Sequence, residues 1–549
     1  MKKLIFTGCI ITALLANAQP PNNPNQQNSK QPKLVVGIVV DQMRWDYLYR
    51  FADIYKPNGG FKRLMGEGFS CDNTFVPYLP TVTACGHTSI YTGSVPAING
   101  ITGNNWFDNN MQKVVYCTED KSVQGIGSNA GEAGQMSPAN VLVTTITDEL
   151  RLSSNFRSKV LGISMKDRGA IIPAGHAANA AYWYDIKSGN FISSTYYMQE
   201  LPQWMQAFNN KKKVDSLYGL NWNMSLKKGV YEKYCDTPDN PYESKPFGKE
   251  ALLPYNLEQY KGKDYSKITT TPLANNLLAE LAIATLKEEK LGMGKEIDFL
   301  TVSFSSPDYV GHNFGPNSWE QLDTYAKLDE TLAYLLDYLD KTYGKNQYTV
   351  FLTADHAGAH IPEFLQKHKI PGGRWDDGDI KKDLNGFLQA KYNQPNLISA
   401  VMEHDIYLNH PLIDSLGKFD ETMLKKDIID YLLKKEPVLT VVDKRKAAAA
   451  TIPAKIKEMV VNGYNPARSG DLQIIVKTGV MDSGKTGMSH GVWNPYDAHI
   501  PLLFYGWGIK KGSLKRETYM TDISATLAAL LHIQMPSGCI GSVITEVLK

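Results

Sequence analysis

One threonine, Thr83, has neighbours of the types that support nucleophilic chemistry. It lies within Val76–Asn104, which reads VPYLPTVTACGHTSIYTGSVPAINGITGN. Pro77 and Pro80 mark an extended approach, and the ACGHTSIY run after the threonine can form a short helix. At such a junction free backbone N–H groups point outward, which favours an anion beside the hydroxyl. The alternative is an ordinary turn, because most Thr-X-X-Gly sequences are only turns.

Two short pairings of carboxylate and imidazole, together with a separate histidine, supply ligand types that suit zinc. Asp308-X-X-X-His312 and Asp355-His356 each contain both types, and His490 stands beside a glycine, where backbone can approach a site closely. Zinc at neutral pH favours such nitrogen and oxygen ligands. Taken singly, an Asp-His pair is usually a surface or turn feature, and an ordinary loop histidine is the alternative for His490.

These residues are expected to come together at one edge of a sheet. Apolar runs typical of strands buried on both faces are Leu34–Val40, Lys159–Met165, Ile297–Phe304, Tyr348–Thr353 and His499–Gly506. At or just past the carboxyl ends of the first four lie Asp41, Lys166, Arg168, Asp308, Asp355 and His356. Ligands bind at that edge in open α/β sheets. The sequence therefore predicts a single site there.

Helical patterns separate the strands, and this alternation predicts an α/β fold with a mostly parallel central sheet and helices on both faces. The patterns cover Pro272–Leu286, Ser318–Leu339, with leucines on one face and acidic residues opposite, and Thr521–Leu531. Two irregular regions, 177–267 and 359–479, are interpreted as insertions that cap the sheet. The second contains an extended stretch (Leu397–Asn409), a helix (Met423–Lys435) and a strand (Leu472–Lys477).

The amino-terminal residues predict export. Met1–Ala18 has two lysines, an apolar run too short to span a bilayer and an Ala-X-Ala cleavage site, so we expect a cleaved signal peptide and a periplasmic or secreted protein. Residues 19–33, rich in Pro, Asn and Gln, are predicted to be a disordered leader. Residues 34–549 are expected to form a single catalytic domain that carries both insertions. No stable membrane insertion is expected.

Charge and cysteine content restrict the partners. The chain has 58 basic and 56 acidic residues, and loss of Lys2 and Lys3 with the signal peptide leaves equal numbers. A neutral balance implies no nucleic-acid or membrane partner.

Five cysteines remain (Cys71, Cys85, Cys117, Cys235 and Cys539), and because the number is odd at least one is free or paired between chains. Their spacing does not define a pairing. We expect a monomer.

Taken together, these motifs resemble the alkaline phosphatase superfamily, and most closely the phosphate-irrepressible alkaline phosphatases of flavobacteria, which share the fold of type I phosphodiesterases and nucleotide pyrophosphatases. The resemblance runs through nearly the whole mature chain. It rests, in order, on Asp41, PTVTACGH, GITGN, Lys166-Asp167-Arg168, Asp308-X-X-X-His312, Asp355-His356, His490-Gly491 and the ending YMTDISATLAALL.

The resemblance implies two zinc ions. One would be held by Asp308, His312 and His490, and the other by Asp41, Asp355 and His356 with the Thr83 oxygen as fourth ligand. Three protein ligands leave a zinc with an open position, as catalysis requires. Two metals about 4 Å apart can bind the attacking and leaving oxygens of an in-line displacement.

The resemblance also implies that Asn104, Lys166 and Arg168 bind the phosphoryl oxygens around the Thr83 nucleophile. The alternative for the two cations is that they are solvated charges in a loop. Because Lys166 and Arg168 are predicted to leave one strand two residues apart, both side chains are expected to point the same way.

Some features depart from other members of the superfamily. A sulfatase would need Cys-X-Pro-X-Arg at the nucleophile, whereas Cys85 is followed by Gly-His-Thr, so that chemistry is excluded. Cys85 is interpreted as a small packing residue. No acidic cluster can be assigned to a magnesium site, and Lys166 is expected to take over its electrostatic role.

The sequence therefore predicts an exported, two-zinc alkaline phosphatase that hydrolyses small phosphate monoesters through a phosphothreonine at Thr83. Two alternatives remain open. A phosphodiesterase or nucleotide pyrophosphatase of the same superfamily would share the threonine and the asparagine. A secreted binding protein would keep the fold without catalysis.

Overall fold

The computed structural model of the protein describes residues 31–127 and 130–549. The predicted signal peptide, and all of the predicted leader except residues 31–33, lie outside the described residues. The long apolar runs form the middle of a ten-stranded sheet. Its strands, in spatial order, are Gly512–Leu514, Phe69–Cys71, Leu502–Gly506, Tyr348–Thr353, Leu34–Val40, Asp298–Phe304, Val160–Ser164, Ala180–Asp185, Asn190–Ser194 and Gly125–Ile126.

Parallel pairing brings the ends of four predicted strands to one edge. Leu34–Val40 runs parallel to the strands on both sides of it, with Val40 opposite Phe304 and Val39 opposite Thr353. Ser303 in turn pairs with Ser164. The residues that follow these four strands therefore leave the sheet side by side. The α/β fold predicted from the sequence is confirmed, with parallel strands at the centre and antiparallel strands toward both edges.

The fifth predicted strand, His499–Gly506, is divided. Leu502–Gly506 runs antiparallel to Tyr348–Thr353, whereas His499–Ile500 joins a separate sheet with Thr74–Phe75 and Thr518–Tyr519. Pro501 lies at the division. A proline has no N–H to donate to a ladder, which explains why the pairing changes partner there.

The three helices predicted around the sheet are confirmed within a few residues as Leu273–Glu288, Trp319–Tyr343 and Asp522–Leu531. The acidic side of Trp319–Tyr343 is not simply solvent-exposed, however. Asp323 is fully buried and accepts hydrogen bonds from Trp222 Nε1 (2.8 Å) and Tyr231 Oη (2.5 Å). Residues of the first predicted insertion thus cover part of the helix that the acidic pattern alone would leave in water.

The first predicted insertion, 177–267, begins with Ala180–Asp185 and Asn190–Ser194, which belong to the central sheet. The second, 359–479, contains a four-stranded sheet in the order Ile398–Met402, Asp405–Leu408, Leu472–Val476 and Val438–Asp443. Two helices, Asp377–Tyr392 and Glu421–Leu432, supply buried side chains to a core shared with this sheet. The predicted helix and strand are confirmed within a few residues, whereas the predicted extended stretch Leu397–Asn409 is divided into two antiparallel strands by a turn at Glu403 and His404.

The other α-helices of the described residues are Tyr47–Arg50, Gly60–Glu67, Thr83–Thr92, Pro96–Asn99, Ile146–Ser153, Asp167–Ala174, Gln203–Asn210, Lys213–Tyr218, Lys228–Tyr234, Ser306–Phe314, Pro362–Lys367, His410–Leu416, Ala454–Asn462 and Pro495–Ala498. Two further strand pairs are Asn105–Asp108 with Lys113–Tyr116 and Gly373–Trp375 with Val480–Asp482. None of the helices in the described part of the chain combines the length and apolar composition that a bilayer crossing requires.

Candidate active site

Thr83 is the first residue of the helix Thr83–Thr92, as the sequence predicts. Val82 before it is extended, and the threonine is 1% exposed. Its Oγ1 lies 3.4 Å from Lys166 Nζ and 3.5 Å from His356 Nε2. The helix packs closely on the neighbouring strand end, since a Cβ on Gly86 would fall 2.3 Å from the Asp355 carbonyl oxygen. The glycine of the ACGH run is thus required for Thr83 to reach the site.

One predicted ligand trio is assembled by a helix and a distant loop. Asp308 and His312 lie one turn apart on Ser306–Phe314, so their side chains share a face, and His312 Nε2 is 3.1 Å from Asp308 Oδ1. His490 approaches from the loop near the carboxyl end of the chain, with Nε2 3.7 Å from the same oxygen. The candidate ligand atoms of the three residues lie within 4.8 Å of one another.

The second predicted trio follows two neighbouring strands. His356 Nε2 lies 3.5 Å from Asp41 Oδ1 and 3.6 Å from Asp355 Oδ2, and all three residues are fully buried. On this side, Asp41, Asp308 and His356 form a group whose candidate ligand atoms again lie within 4.8 Å of one another. Asp308 therefore stands between the two trios and adjoins both.

All three site histidines are oriented by the backbone. The Nδ1 atom of His312 donates to Met488 O (2.8 Å), that of His356 to Ala357 O (2.9 Å) and that of His490 to Thr81 O (2.8 Å). A histidine that donates from Nδ1 presents the lone pair of Nε2, and this arrangement is typical of metal ligands.

The donor set fits divalent cations. Asp41 Oδ1 and Asp355 Oδ2 are buried and have no hydrogen-bond partner among the described residues. His87 Nδ1 lies 3.3 Å from Asp355 Oδ2, but its hydrogen is directed to the Thr83 carbonyl at 2.9 Å. Buried carboxylate oxygens need a positive partner. Burial and the Asp355 carboxylate raise the pKa of Asp41 well above its usual range, so its ionised form requires further positive charge.

Two of the histidines are held in the form that binds metals. Burial, together with His356 and His312, lowers the pKa of His490 well below its usual range, and burial lowers the pKa of His356. Both imidazoles are therefore neutral at neutral pH. His312 differs, because the Asp308 carboxylate outweighs the effect of burial and raises its pKa. A cation bound at His312 would displace a proton there.

Lys166 lies at the centre of the site. Its Nζ donates to Asp41 Oδ2 (2.7 Å) and to Asp308 Oδ2 (2.6 Å), and it is 5% exposed. Burial alone would lower the pKa of this ammonium, but Asp308 and Asp41 raise it above its usual range, so Lys166 remains charged. One cation thus contacts a carboxylate of each predicted trio.

The expectation that Lys166 and Arg168 share a strand face is wrong. The strand ends at Ser164, Lys166 is the residue that caps the helix Asp167–Ala174, and Arg168 lies in that helix's first turn. Arg168 Nη1 donates to Tyr116 Oη at 3.0 Å. Both cations still lie close enough to Tyr309 for each to lower the pKa of its phenol against the larger effect of burial.

Sequence reasoning missed the residues that hold this arginine. Tyr116 Oη, which accepts from Arg168, donates in turn to Asp167 Oδ1 at 2.8 Å. Asn104 directly precedes the hairpin whose last residue is Tyr116, and its Oδ1 accepts from Ala84 N (3.0 Å) at the start of the Thr83 helix. Asp167 stands inside the Lys-Asp-Arg run and is visible in the sequence, whereas no local pattern marks Tyr116.

The chain is similar to known proteins over almost its whole length. A family model described as type I phosphodiesterase / nucleotide pyrophosphatase matches residues 35–497. Alkaline phosphatase PhoV of Synechococcus elongatus is 50% identical over 98% of this chain and 99% of its own. Alkaline phosphatase PafA of Elizabethkingia meningoseptica is 47% identical over 94% of this chain and 95% of its own. A crystal structure of wild-type PafA has a TM-score of 0.92 and 46% identity, covering 94% of this chain and 99% of that one.

Proposed function

The chain belongs to the type I phosphodiesterase / nucleotide pyrophosphatase family, and from this premise we propose that it is an exported, two-zinc alkaline phosphatase that forms a phosphothreonine at Thr83. The expectation of a phosphoric monoester hydrolase is confirmed by the identity with two relatives named alkaline phosphatases. The observation that carries the finer proposal is the position of Thr83 Oγ1, within 3.5 Å of both Lys166 Nζ and His356 Nε2.

The proposed reaction has two displacements at phosphorus. The Thr83 oxygen forms a bond to phosphorus while the bond to the ester oxygen breaks, and the alcohol leaves. Water then attacks the phosphothreonine, the Thr83–phosphorus bond breaks, and inorganic phosphate is released with Thr83 restored. Two in-line steps give net retention of configuration at phosphorus.

The ligand trios identify where metals would be held. Asp308, His312 and His490 would hold one zinc ion, and Asp41, Asp355 and His356 the other. Bound there, zinc would supply Lewis-acid stabilisation of the attacking and departing oxygens and would lower the pKa of the threonine hydroxyl.

The remaining side chains would bind the phosphoryl group. Asn104 Oδ1 accepts a hydrogen bond from Ala84 N, so the side-chain N–H groups of Asn104 remain able to donate to an anion. Arg168 can offer two parallel N–H donors to phosphoryl oxygens, and the Tyr116–Asp167 contacts hold it in place. Lys166 would add a compact charge beside Thr83.

A phosphodiesterase is the second candidate, because the matching family model carries that description. A phosphate monoester at the reaction pH has two negative charges and a diester has one, so two cations beside the phosphoryl group favour the monoester.

A binding protein without catalysis is the third candidate, and release of inorganic phosphate from an aryl phosphate monoester tests it directly. A chain loaded with zinc that binds the ester without turnover would contradict the proposal.

Arg168 is expected to contribute to the preference for monoesters. Replacing Arg168 with alanine removes a charge-assisted contact worth about 1.5–3 kcal/mol. It should lower kcat/KM for an aryl monoester by roughly 10- to 100-fold and that for a diester much less. The Lys166→Ala, Arg168→Ala double variant should lower kcat/KM for the monoester further, and so increase the difference between the losses for the two substrates. The measurement is kcat/KM for both substrates on preparations whose zinc content has been determined.

The single and double variants have different uses. Lys166 also bonds Asp41 and Asp308, so the double variant can disturb the ligands, whereas Arg168 makes no such contact among the described residues. Arg157→Ala is a matched control, since Arg157 pairs with Glu296 before the amino end of its strand, away from the site. Equal slowing of monoester and diester by Arg168→Ala, with zinc intact, would show that this arginine does not set the preference.

A further inference from the structure

Gln42, the residue directly after Asp41, has an unusual backbone. Its φ is 63°, in the left-handed region that residues other than glycine rarely adopt, and its side chain is 2% exposed. Such a conformation costs free energy and persists only where surrounding contacts enforce it. Two glycines make room for the side chain. A Cβ on Gly311 would fall 1.9 Å from Gln42 Oε1, and one on Gly358 would fall 3.1 Å from its Cγ.

The residue donates to a carboxylate of each trio. Gln42 Nε2 donates to Asp308 Oδ1 at 2.6 Å, and the Gln42 backbone N–H donates to Asp355 Oδ1 at 3.2 Å. Asp355 Oδ1 also accepts from the backbone N–H of His356 at 3.0 Å. These bonds use Oδ1 of Asp355 and leave Oδ2, which has no hydrogen-bond partner in the described part of the chain, as the atom available to a cation.

The two carboxylates stand on different elements. Asp308 is in the helix Ser306–Phe314, and Asp355 follows the strand Tyr348–Thr353. Strand pairing fixes the backbones at the sheet edge but does not fix the rotamer of either aspartate. Lys166 also bonds a carboxylate of each trio, but it uses the Oδ2 atoms of Asp41 and Asp308. Its flexible side chain ends in a point charge, which orients a carboxylate less strictly than a planar amide does. Gln42 is neutral, so it orients Asp308 without reducing the negative charge that would attract cations.

We infer that Gln42 is a positioning residue that fixes the separation of the two cation sites and couples the filling of one to the filling of the other. The inference rests on the proposed two-zinc function. Residues that orient metal ligands typically alter metal affinity by 10- to 100-fold when replaced. Loss of the Gln42 amide should therefore weaken zinc binding by about that factor and make the two binding steps independent.

The test is zinc binding to protein stripped with a chelator and then titrated with zinc against a chromophoric competitor. Wild type should take up about two zinc ions per chain in a coupled manner. Gln42→Met, which keeps the volume and removes the amide, should bind zinc roughly 10- to 100-fold more weakly. Gln473→Met is the matched control, because Gln473 is equally buried but donates to the Glu403 carbonyl in the second predicted insertion rather than to a carboxylate of the site. Its zinc affinity should equal that of wild type.

A second variant guards against misfolding of the first. Gly311→Ala leaves residue 42 unchanged but places a methyl group where the Gln42 amide lies, and alanine is favourable within a helix. It should weaken zinc binding in the same direction, and the gain in melting temperature on adding zinc should shrink in both variants. Wild-type affinity and coupling in either folded variant would overturn the role of Gln42. A wild type that takes up no zinc would instead overturn the two-zinc proposal.

Discussion

Replacing Thr83 with alanine is expected to lower kcat/KM for an aryl phosphate monoester by on the order of 10³-fold or more, as loss of a covalent nucleophile does in other hydrolases. The hydroxyl lies at the first position of its helix, buried, with the Lys166 ammonium 3.4 Å away. Alanine leaves the helix and the six carboxylate and imidazole ligands in place but removes the Thr83 oxygen, so the remaining rate reports direct attack by water. Thr83→Ser keeps an oxygen and should keep part of the activity.

Thr88→Ala is the matched control for that variant. Thr88 is also a buried threonine of the same helix, but its Oγ1 donates to the Ala84 carbonyl. We expect Thr88→Ala to have near-normal kcat/KM. Mass spectrometry of protein quenched at low pH should find one added phosphoryl group on the peptide that contains Thr83. Near-normal turnover by Thr83→Ala would eliminate the threonine as nucleophile.

Removal of the metals is expected to have a comparable effect. Two trios of carboxylate and imidazole would hold about two zinc ions per chain. A chelator that strips these ions should lower the turnover rate by on the order of 10³-fold or more. Added zinc should restore activity, whereas magnesium or calcium should not, because three histidine ligands favour zinc. The measurement is elemental analysis beside turnover, before and after reconstitution.

A single histidine can be used to locate the effect. His490→Gln should lower the zinc content and activity, since His490 Nε2 faces Asp308 and its Nδ1 is held by the Thr81 carbonyl. His410→Gln is the control, because His410 bonds Asp471 within the second predicted insertion. Full activity in a metal-free sample would contradict the two-zinc account.

Much of the site could be predicted from the sequence because it follows strand ends. Leu34–Val40 and Tyr348–Thr353 have the predicted bounds, and parallel register then places Asp41 beside Asp355. His490 could be named a candidate ligand from its residue type and neighbouring glycine, but its place in one trio with Asp308 and His312 came only from the family resemblance. Its loop is joined to the site by tertiary contacts such as the one to Thr81.

Other features depend on contacts that no local pattern encodes. The orientation of Arg168 is set by Tyr116, which belongs to a hairpin some fifty residues earlier in the chain. The left-handed backbone at Gln42 follows from packing against Gly311 and Gly358. The burial of Asp323 follows from a tryptophan and a tyrosine of the first predicted insertion. In each case tertiary contacts decide the outcome.

The central claim is that this site hydrolyses phosphate monoesters in preference to other esters. It is tested most directly by kcat/KM for an aryl phosphate monoester, a diester and a sulfate ester on one preparation of known zinc content. With two cations that bind a dianion more fully, each contact worth about 1.5–3 kcal/mol, the monoester should be favoured over the diester by roughly 10²–10⁴-fold, with the sulfate ester slower than the monoester. A preparation with two zinc ions per chain that hydrolyses the diester as fast as the monoester, or faster, would contradict the account.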